Sequence, residues 1–498
     1  LNLIQVEPNS ETSVRDTGSI LKAGDTVWRV VHAGRVAMVV DAADYFRHLE
    51  RAFANARRSI LIAGWDFNGS ISLQPDRPGT EQLGQYLRRL VEERPELTIH
   101  VLVWAYGPIY SSRQMRVFPK EPWADHPRIH ICYDRHHPWR GCHHQKIVCI
   151  DDAMAFCGGI DLTVHRWDTR DHLAIDRRRK DLGGGLYTPV HDVQLALEGE
   201  AASALGDLLR ERWRACKGDR LEPASADGEY WPDELEPDLR NIPVGISRTI
   251  PSSLARRNIG EIEKLNEAAL KAANYLIYIE TQYLTCRRIG HILARKLLDP
   301  RGPEVVIVVP QQCHGGVLEQ IFMGGNRNRL VRSLRRADIH DRLRVVYPVV
   351  VDKNGHDEIP IFVHSKLMII DNWFARIGSS NLNNRSRGMD TECDVSFEAR
   401  TPGEQKAVER MCHDLLAEHL GMSRDAVSAY VDKHHSLAKL LDQQRGSRRR
   451  LKPVRIGSSD GPEAPVPLTT IVDPKKPLRP IRYLRKLLEI VGAKSASK

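Results

Sequence analysis

One string of residues occurs twice in this chain, 220 positions apart. His144-Gln-Lys146, four residues, Asp151, six residues and Gly158-Gly159-Ile160-Asp161 return as His364-Ser-Lys366, four residues, Asp371, six residues and Gly378-Ser379-Ser380-Asn381. The surroundings repeat with it. A helical period over 41–57 leads into an apolar strand at 59–63, and another over 261–273 leads into 275–279. A second helix and strand follow in each half, at 81–94 with 97–104 and at 289–298 with 304–309. Alternating helix and strand of this kind predicts an α/β fold of two pseudo-symmetric lobes. Each lobe is a mostly parallel or mixed β-sheet covered by helices, and one site lies between them.

The predicted divisions are an N-terminal extension (1–35), a first lobe (36–216), a linker rich in Pro, Asp, Glu and Gly (217–257), a second lobe (258–436) and a basic, Pro-containing tail (437–498). The formal net charge of +9 resides in 441–498, where 14 Lys and Arg face 5 Asp and Glu; residues 1–440 carry 59 of each sign. A nucleic-acid binder would spread basic charge over its working surface, so no specific nucleic-acid partner is expected. In the tail, Ile481, Leu484, Leu488 and Val491 recur at helical spacing among Arg482, Arg485 and Lys486. Such a short amphipathic helix either lies on an anionic membrane, leaving the tail dispensable for chemistry, or docks on the body. No run approaches the ~18 apolar residues of a membrane span, and residues 1–13 lack the pattern of a signal peptide. Nine scattered cysteines without a CxxC pair are read as reduced thiols, with no zinc. The expected location is cytoplasmic and peripheral on a membrane.

Residues i and i+2 of a strand share a face, so each half presents an imidazole and an ammonium together. Two such pairs suit a phosphodiester. One of His144 and His364 can attack phosphorus and the other can protonate the leaving alcohol. Lys146 and Lys366 can neutralise the nonbridging oxygens without a metal. No Mg²⁺- or Zn²⁺-type carboxylate cluster accompanies the histidines, so neither metal nor cofactor is expected. Asp151 and Asp371 fit the turn into the next strand and are read as structural. Gly159, Ser379, Asp161 and Asn381, at the Gly-rich end of that strand, are candidates for binding or supporting the phosphate. Asp161 is the odd member, because a carboxylate beside a phosphodiester is unfavourable; it is expected to face a His or Lys. His130, His136, His137 and His143 are irregularly spaced and read as loop or rim residues. Trp65, Trp104, Tyr133, Trp139, Trp167 and Tyr283 read as core or rim, and Gly183–Gly185 as a flexible loop.

The doubled HxKx4Dx6G(G/S)x(N/D) pattern resembles the phospholipase D superfamily over about residues 27–430. GWDF at 64–67, RWDT at 166–169, HDVQLALEG at 191–199, IETQYLT at 279–285 and GSSNLNNRS at 378–386 are similar to the phosphatidylcholine-type branch. The resemblance implies hydrolysis of a glycerophospholipid to phosphatidic acid and free headgroup through a phosphohistidine, with possible transphosphatidylation. It implies a monomer working at a phospholipid membrane surface, with His144 as nucleophile and His364 as general acid. Aligning DVQLALE with ECDVSFE implies that Asp192 orients His144 and Glu392 orients His364, with Asp171 a weaker competitor for the first role. A cardiolipin-synthase-like phosphatidyltransferase and a nuclease of the same superfamily stay open as alternatives.

Overall fold

The apolar residues that follow each His-x-Lys string, Ile147–Ile150 and Leu367–Ile370, are fully buried at the middle of two sheets. The computed structural model describes residues 18–105, 121–224, 228–252, 258–313, 319–443, 448–456, 461–467 and 469–477. The first half contains β1 (Arg29–Val40), α1 (Ala42–Asn55), β2 (Ser59–Gly64), α2 (Leu83–Glu93), β3 (Thr98–Trp104), β4 (Ile129–Asp134), β5 (Ile147–Ile150), β6 (Met154–Gly158), β7 (Val193–Glu198) and α3 (Glu200–Lys217). Its strands run in the order β4-β3-β2-β5-β6-β7-β1, with β2, β3 and β4 parallel and the rest antiparallel.

The second half contains β8 (Leu239–Ile250), α4 (Glu261–Ala272), β9 (Leu276–Thr281), α5 (Arg287–Leu298), β10 (Glu304–Val308), α6 (Gly325–Ala337), β11 (Leu343–Val351), β12 (Lys366–Ile370), β13 (Phe374–Gly378), β14 (Glu392–Glu398) and α7 (Pro402–Leu420). The order β11-β10-β9-β12-β13-β14-β8 repeats that of the first half, again with three parallel strands at one end. β1 and β8 pair antiparallel, from Arg29 opposite Ile246 to Val36 opposite Leu239, and join both sheets edge to edge. The joined sheet bends so that β6 rests on β13 and β14.

Three apolar cores follow from this. On the outer face of the first half, α1 buries Tyr45, Phe46, Leu49, Ala52 and Phe53, a stripe at helical spacing, together with Leu87 of α2. Leu265, Leu293 and Val331 of α4, α5 and α6 cover the second half in the same way. Between the halves, Cys157, Leu195, Ile377 and Val395 pack with Leu205 of α3 and Leu415 of α7. A full capping box starts α7, with Thr401 and Glu404 exchanging hydrogen bonds around Pro402, and left-handed Gly421 ends it.

Three sequence expectations are corrected. The segment read as a linker, 217–257, contributes the twelve-residue β8 at the centre of the joined sheet, and β1 begins inside the segment read as an N-terminal extension. The alternation in β8 is masked because its side chains are buried on both faces from Val244 onward. The tail is also less free than expected: after α8 (Arg424–His434) of the second lobe it begins with α9 (Leu437–Gln443), and β15 (Arg449–Pro453) pairs antiparallel with β11. The amphipathic stretch 481–491 lies outside the described residues. Finally, Cys132 of β4 and Cys216 of α3 are paired, where all nine cysteines were expected as thiols. Their separation of 84 residues carries no local signal; packing of α3 on β4 brings them together. No helix among the described residues is long and apolar enough to cross a membrane.

Candidate active site

The two halves hold each other's histidines. His144 Nδ1 lies 2.9 Å from Glu392 Oε2, and His364 Nδ1 lies 2.6 Å from Asp192 Oδ2. This corrects the pairing implied by resemblance, in which each acid served its own half, and Asp171 is exposed and serves neither. The crossing follows from the backbone: His144 N donates to Thr391 O at 2.9 Å, and His364 N donates to His191 O at 2.8 Å. Each His-x-Lys strand end therefore runs beside the residue that precedes the other half's acid. With Nδ1 held by a carboxylate, Nε2 of each ring is left for chemistry. Burial, then the charges of Lys146 and Lys366, pushes His144 well below an imidazole's usual 6.5; burial and the same lysines, with Arg166, do so for His364. Burial also raises both partner carboxyls, Asp192 and Glu392.

The lysines are equally enclosed. Lys146 Nζ donates to His144 O at 3.0 Å and pairs with Asp161 Oδ2 at 3.2 Å, so Asp161 does face a Lys. Lys366 Nζ donates to His364 O and lies 3.4 Å from Gln282 Oε1, a neutral partner in place of a carboxylate. Burial, helped by Lys146 and Arg166 and opposed by Asp192, lowers the Lys366 ammonium to about 7. Asp151 and Asp371 lie in the turn between the two strands of their motifs. Each adopts a left-handed turn, with φ of 49° and 52°. Asp151 accepts backbone N–H bonds from Arg57, Arg58 and Ser59, and Asp371 from Asn274, Tyr275 and Leu276. Each pins the start of β2 or β9 beside its own motif strand.

Ser379 supports the acid that holds His144. Its buried hydroxyl donates to Glu392 Oε2 at 2.5 Å, and Ser386, which the sequence reading passed over, donates to Oε1 at 2.7 Å. Gly159, at the matching position of the first half, leaves room for Asp192: a Cβ there would run into that carboxylate. Asn381 and Asp161 line a cavity of about 590 Å³ with His144, His364, Arg166 and Arg385. Trp65, Trp104 and Tyr283 form part of its wall, whereas Trp167 is core. Three of the four histidines near the first motif gather around Asp134: His143 bridges Asp134 and Thr391, exposed His136 also reaches Asp134, and His137, which accepts from Trp104 Nε1, packs edge-on against His143, whereas His130 stacks on His100.

Behind the site lies a second, fully buried set that the sequence reading missed. His172 bonds Asp168 at 2.9 Å and Glu418 at 3.1 Å, while His191 bonds Glu418 and Glu280, each at 2.8 Å. Asp192 N donates to Asp41 Oδ1, and Ser365 Oγ donates to Glu280. Donor atoms of Asp41, His172, His191 and Glu418 lie within 4.8 Å of one another, near enough to hold a divalent cation. Their charge is already balanced: four carboxylates face Arg170, Arg179 and two imidazolium rings. Burial opposes protonation of His172, but Asp41, Asp168 and Glu418 outweigh it and raise its pKa to about 10. The imidazolium therefore stabilises the fold fully below its free value of 6.5, and that stabilisation is lost as pH rises through about 10. The unfolding midpoint is expected to fall between pH 7 and 10 and to fall less in His172→Gln; equal slopes would reject the assignment.

The second motif's loop is also held from the tail. Asp473, buried, accepts from Thr285 Oγ1 at 2.7 Å, Asn384 N at 2.9 Å and Arg385 N at 3.0 Å. Asn384 and Arg385 precede Ser386, whose hydroxyl supports Glu392. Removing Asp473 leaves three buried donors unmade, at a cost of about 2–4 kcal/mol. We therefore expect Asp473→Ala to lower the unfolding midpoint and kcat together. Unchanged values of both would show that this part of the tail is dispensable.

The family model described as "Cardiolipin synthase, PLD-like domain" matches residues 267–412, which contain His364, Lys366 and Glu392. Over that stretch the chain is similar to a phospholipase D-like domain. Phospholipase D1 of Schizosaccharomyces pombe is 24% identical over 79% of this chain, and Phospholipase D A of Dictyostelium discoideum is 25% identical over 78%. The match spans 36% of the length of each relative. The crystal structure of phosphatidylserine synthase from Haemophilus influenzae Rd KW20 aligns with a TM-score of 0.53 at 14% identity, covering 84% of this chain and 97% of that one. It shows that this α/β arrangement is close to the fold of that synthase.

Proposed function

We propose that the protein is a phospholipase D-type phosphodiesterase that transfers a phosphatidyl group first to histidine and then to water or an alcohol. The observation that carries this reading is the pair of buried imidazoles, each held through Nδ1 by a carboxylate of the other half and both lining one cavity. His144, kept neutral by burial, attacks phosphorus through Nε2. His364 gives the proton that the leaving alcohol needs, and Asp192 steadies its imidazolium. Lys146 and Lys366 balance the nonbridging oxygens, a task otherwise given to a metal. A cavity of about 590 Å³ takes a headgroup, phosphate and glycerol, with the acyl chains left outside.

Mixed phospholipids incubated with a short alcohol and a chelator test the proposal. Phosphatidic acid and a phosphatidyl-alcohol are the expected products. Cardiolipin from phosphatidylglycerol would assign the alternative phosphatidyltransferase activity, and cleavage of nucleic acid alone would overturn the lipid reading.

A further inference from the structure

Among the described residues, ten large apolar side chains are exposed, and four of them fall in one fourteen-residue loop: Leu173 (40%), Ile175 (69%), Leu182 (56%) and Leu186 (53%). A surface whose apolar exposure is concentrated in one loop marks an interaction site more than scattered residues do. The loop is basic, with Arg177, Arg178, Arg179 and Lys180 against Asp176 and Asp181, and Arg177 and Lys180 are exposed. Its C-terminal end is the cavity wall, since Tyr187, Thr188 and Val190 line the active-site cavity directly after Leu186.

The loop is also built to keep its shape. Buried Arg179 pairs with Asp168 at 2.9 Å and donates to Leu173 O at 2.5 Å, tying the first apolar pair to the rest. Asp181 accepts from the amides of Gly183 and Gly185, at 2.9 and 2.8 Å, and its own N–H donates to Gly185 O. The Gly183–Gly185 run is thus a closed turn between Leu182 and Leu186, not the flexible loop the sequence suggested. A preformed apolar tip loses little freedom when it docks.

We infer that the loop 173–186 is the surface by which the enzyme seats its cavity on an anionic phospholipid bilayer. This rests on the phospholipid reading above. The leucines and the isoleucine enter the acyl region while Arg177 and Lys180 stay with anionic headgroups, as for other interfacial segments. In the described part of the basic tail, Arg450 and Lys452 pair with Glu358, and Lys475 with Glu263.

The test uses the full chain with Ile175→Ser and Leu182→Ser combined, and Ile339→Ser, exposed at 66% far along the sequence, as the control. Sedimentation is measured with vesicles of phosphatidylglycerol and phosphatidylcholine, and turnover with a monomeric short-chain phospholipid. Binding of the double variant to the mixed vesicles should fall by about 100-fold, at roughly tenfold for each apolar side chain. Its turnover of the monomeric substrate and its unfolding midpoint should match wild type, as should all properties of Ile339→Ser. Wild-type binding by the double variant, an equal loss in the control, or a wild-type chain that does not sediment with these vesicles would each overturn the inference. Absence of turnover on any phospholipid by wild type would instead overturn the functional reading, leaving the vesicle result to stand alone.

Discussion

Glu392→Gln is expected to stop covalent labelling of His144, whereas Asp192→Asn should leave labelling intact for substrates with a good leaving group. Had each acid served its own half, the two results would be exchanged. Glu392 holds Nδ1 of His144 at 2.9 Å, and without that carboxyl the ring loses the partner that directs Nε2 at phosphorus. Asp192 holds His364 at 2.6 Å, so its loss removes the proton donor. A p-nitrophenyl phosphodiester leaves without a proton, and an aliphatic choline-type ester does not. On the aliphatic ester both variants should lose about 10²–10⁴ in kcat, the usual range for general acid–base groups. On the nitrophenyl ester Asp192→Asn should recover most of its burst and Glu392→Gln should not. Quenched-flow measurement of the burst, with mass spectrometry of the labelled peptide, distinguishes them. Recovery by Glu392→Gln instead would make His364 the nucleophile.

Lys146→Met and Lys366→Met should each reduce kcat/KM by about 10²–10³, as for loss of a preorganised charge at a developing oxyanion. The two differ in how pH acts. Lys146 is paired with Asp161, whereas burial brings Lys366 to about 7. Lys366 loses its proton as pH rises through that value in the free enzyme, so wild-type kcat/KM should decline above about pH 7. Lys366→Met should lack that decline and Lys146→Met should keep it. A wild-type profile level to pH 9 would show that Lys366 stays charged before substrate binds.

Much of the site could be read from sequence because identical residues at identical spacing impose one backbone twice. The His, Lys and Asp of each motif sit where an i, i+2 strand end and a left-handed Asp turn place them. The partner of each histidine could not be read that way. Asp192 and Glu392 are indeed equivalent in the two sheets, opening β7 and β14, but which histidine each meets depends on how the two sheets face each other. Ser386 escaped notice because its role is defined by Glu392, an acid of the same half that turns to the other half's His. The cluster of His172, His191, Glu280 and Glu418 escaped for a similar reason, since its members are as far apart as 246 residues. β8 was hidden by composition: Pro, Asp and Glu upstream of it read as linker, and its own residues are buried on both faces.

The crossed pairing has a consequence for how the protein is made. During synthesis the first half emerges with His144, Lys146 and Asp192 complete, yet Glu392 is then 248 residues away from its ring and still to be translated. Asp192 likewise waits 172 residues for His364. In the folded chain, β8 pairs with β1 on one side and β14 on the other and so joins the halves that exchange these acids. A nascent or truncated chain therefore holds half of the reactive groups and none of the reactivity. On the proposed reading, competence requires both halves of the chain to be folded against each other.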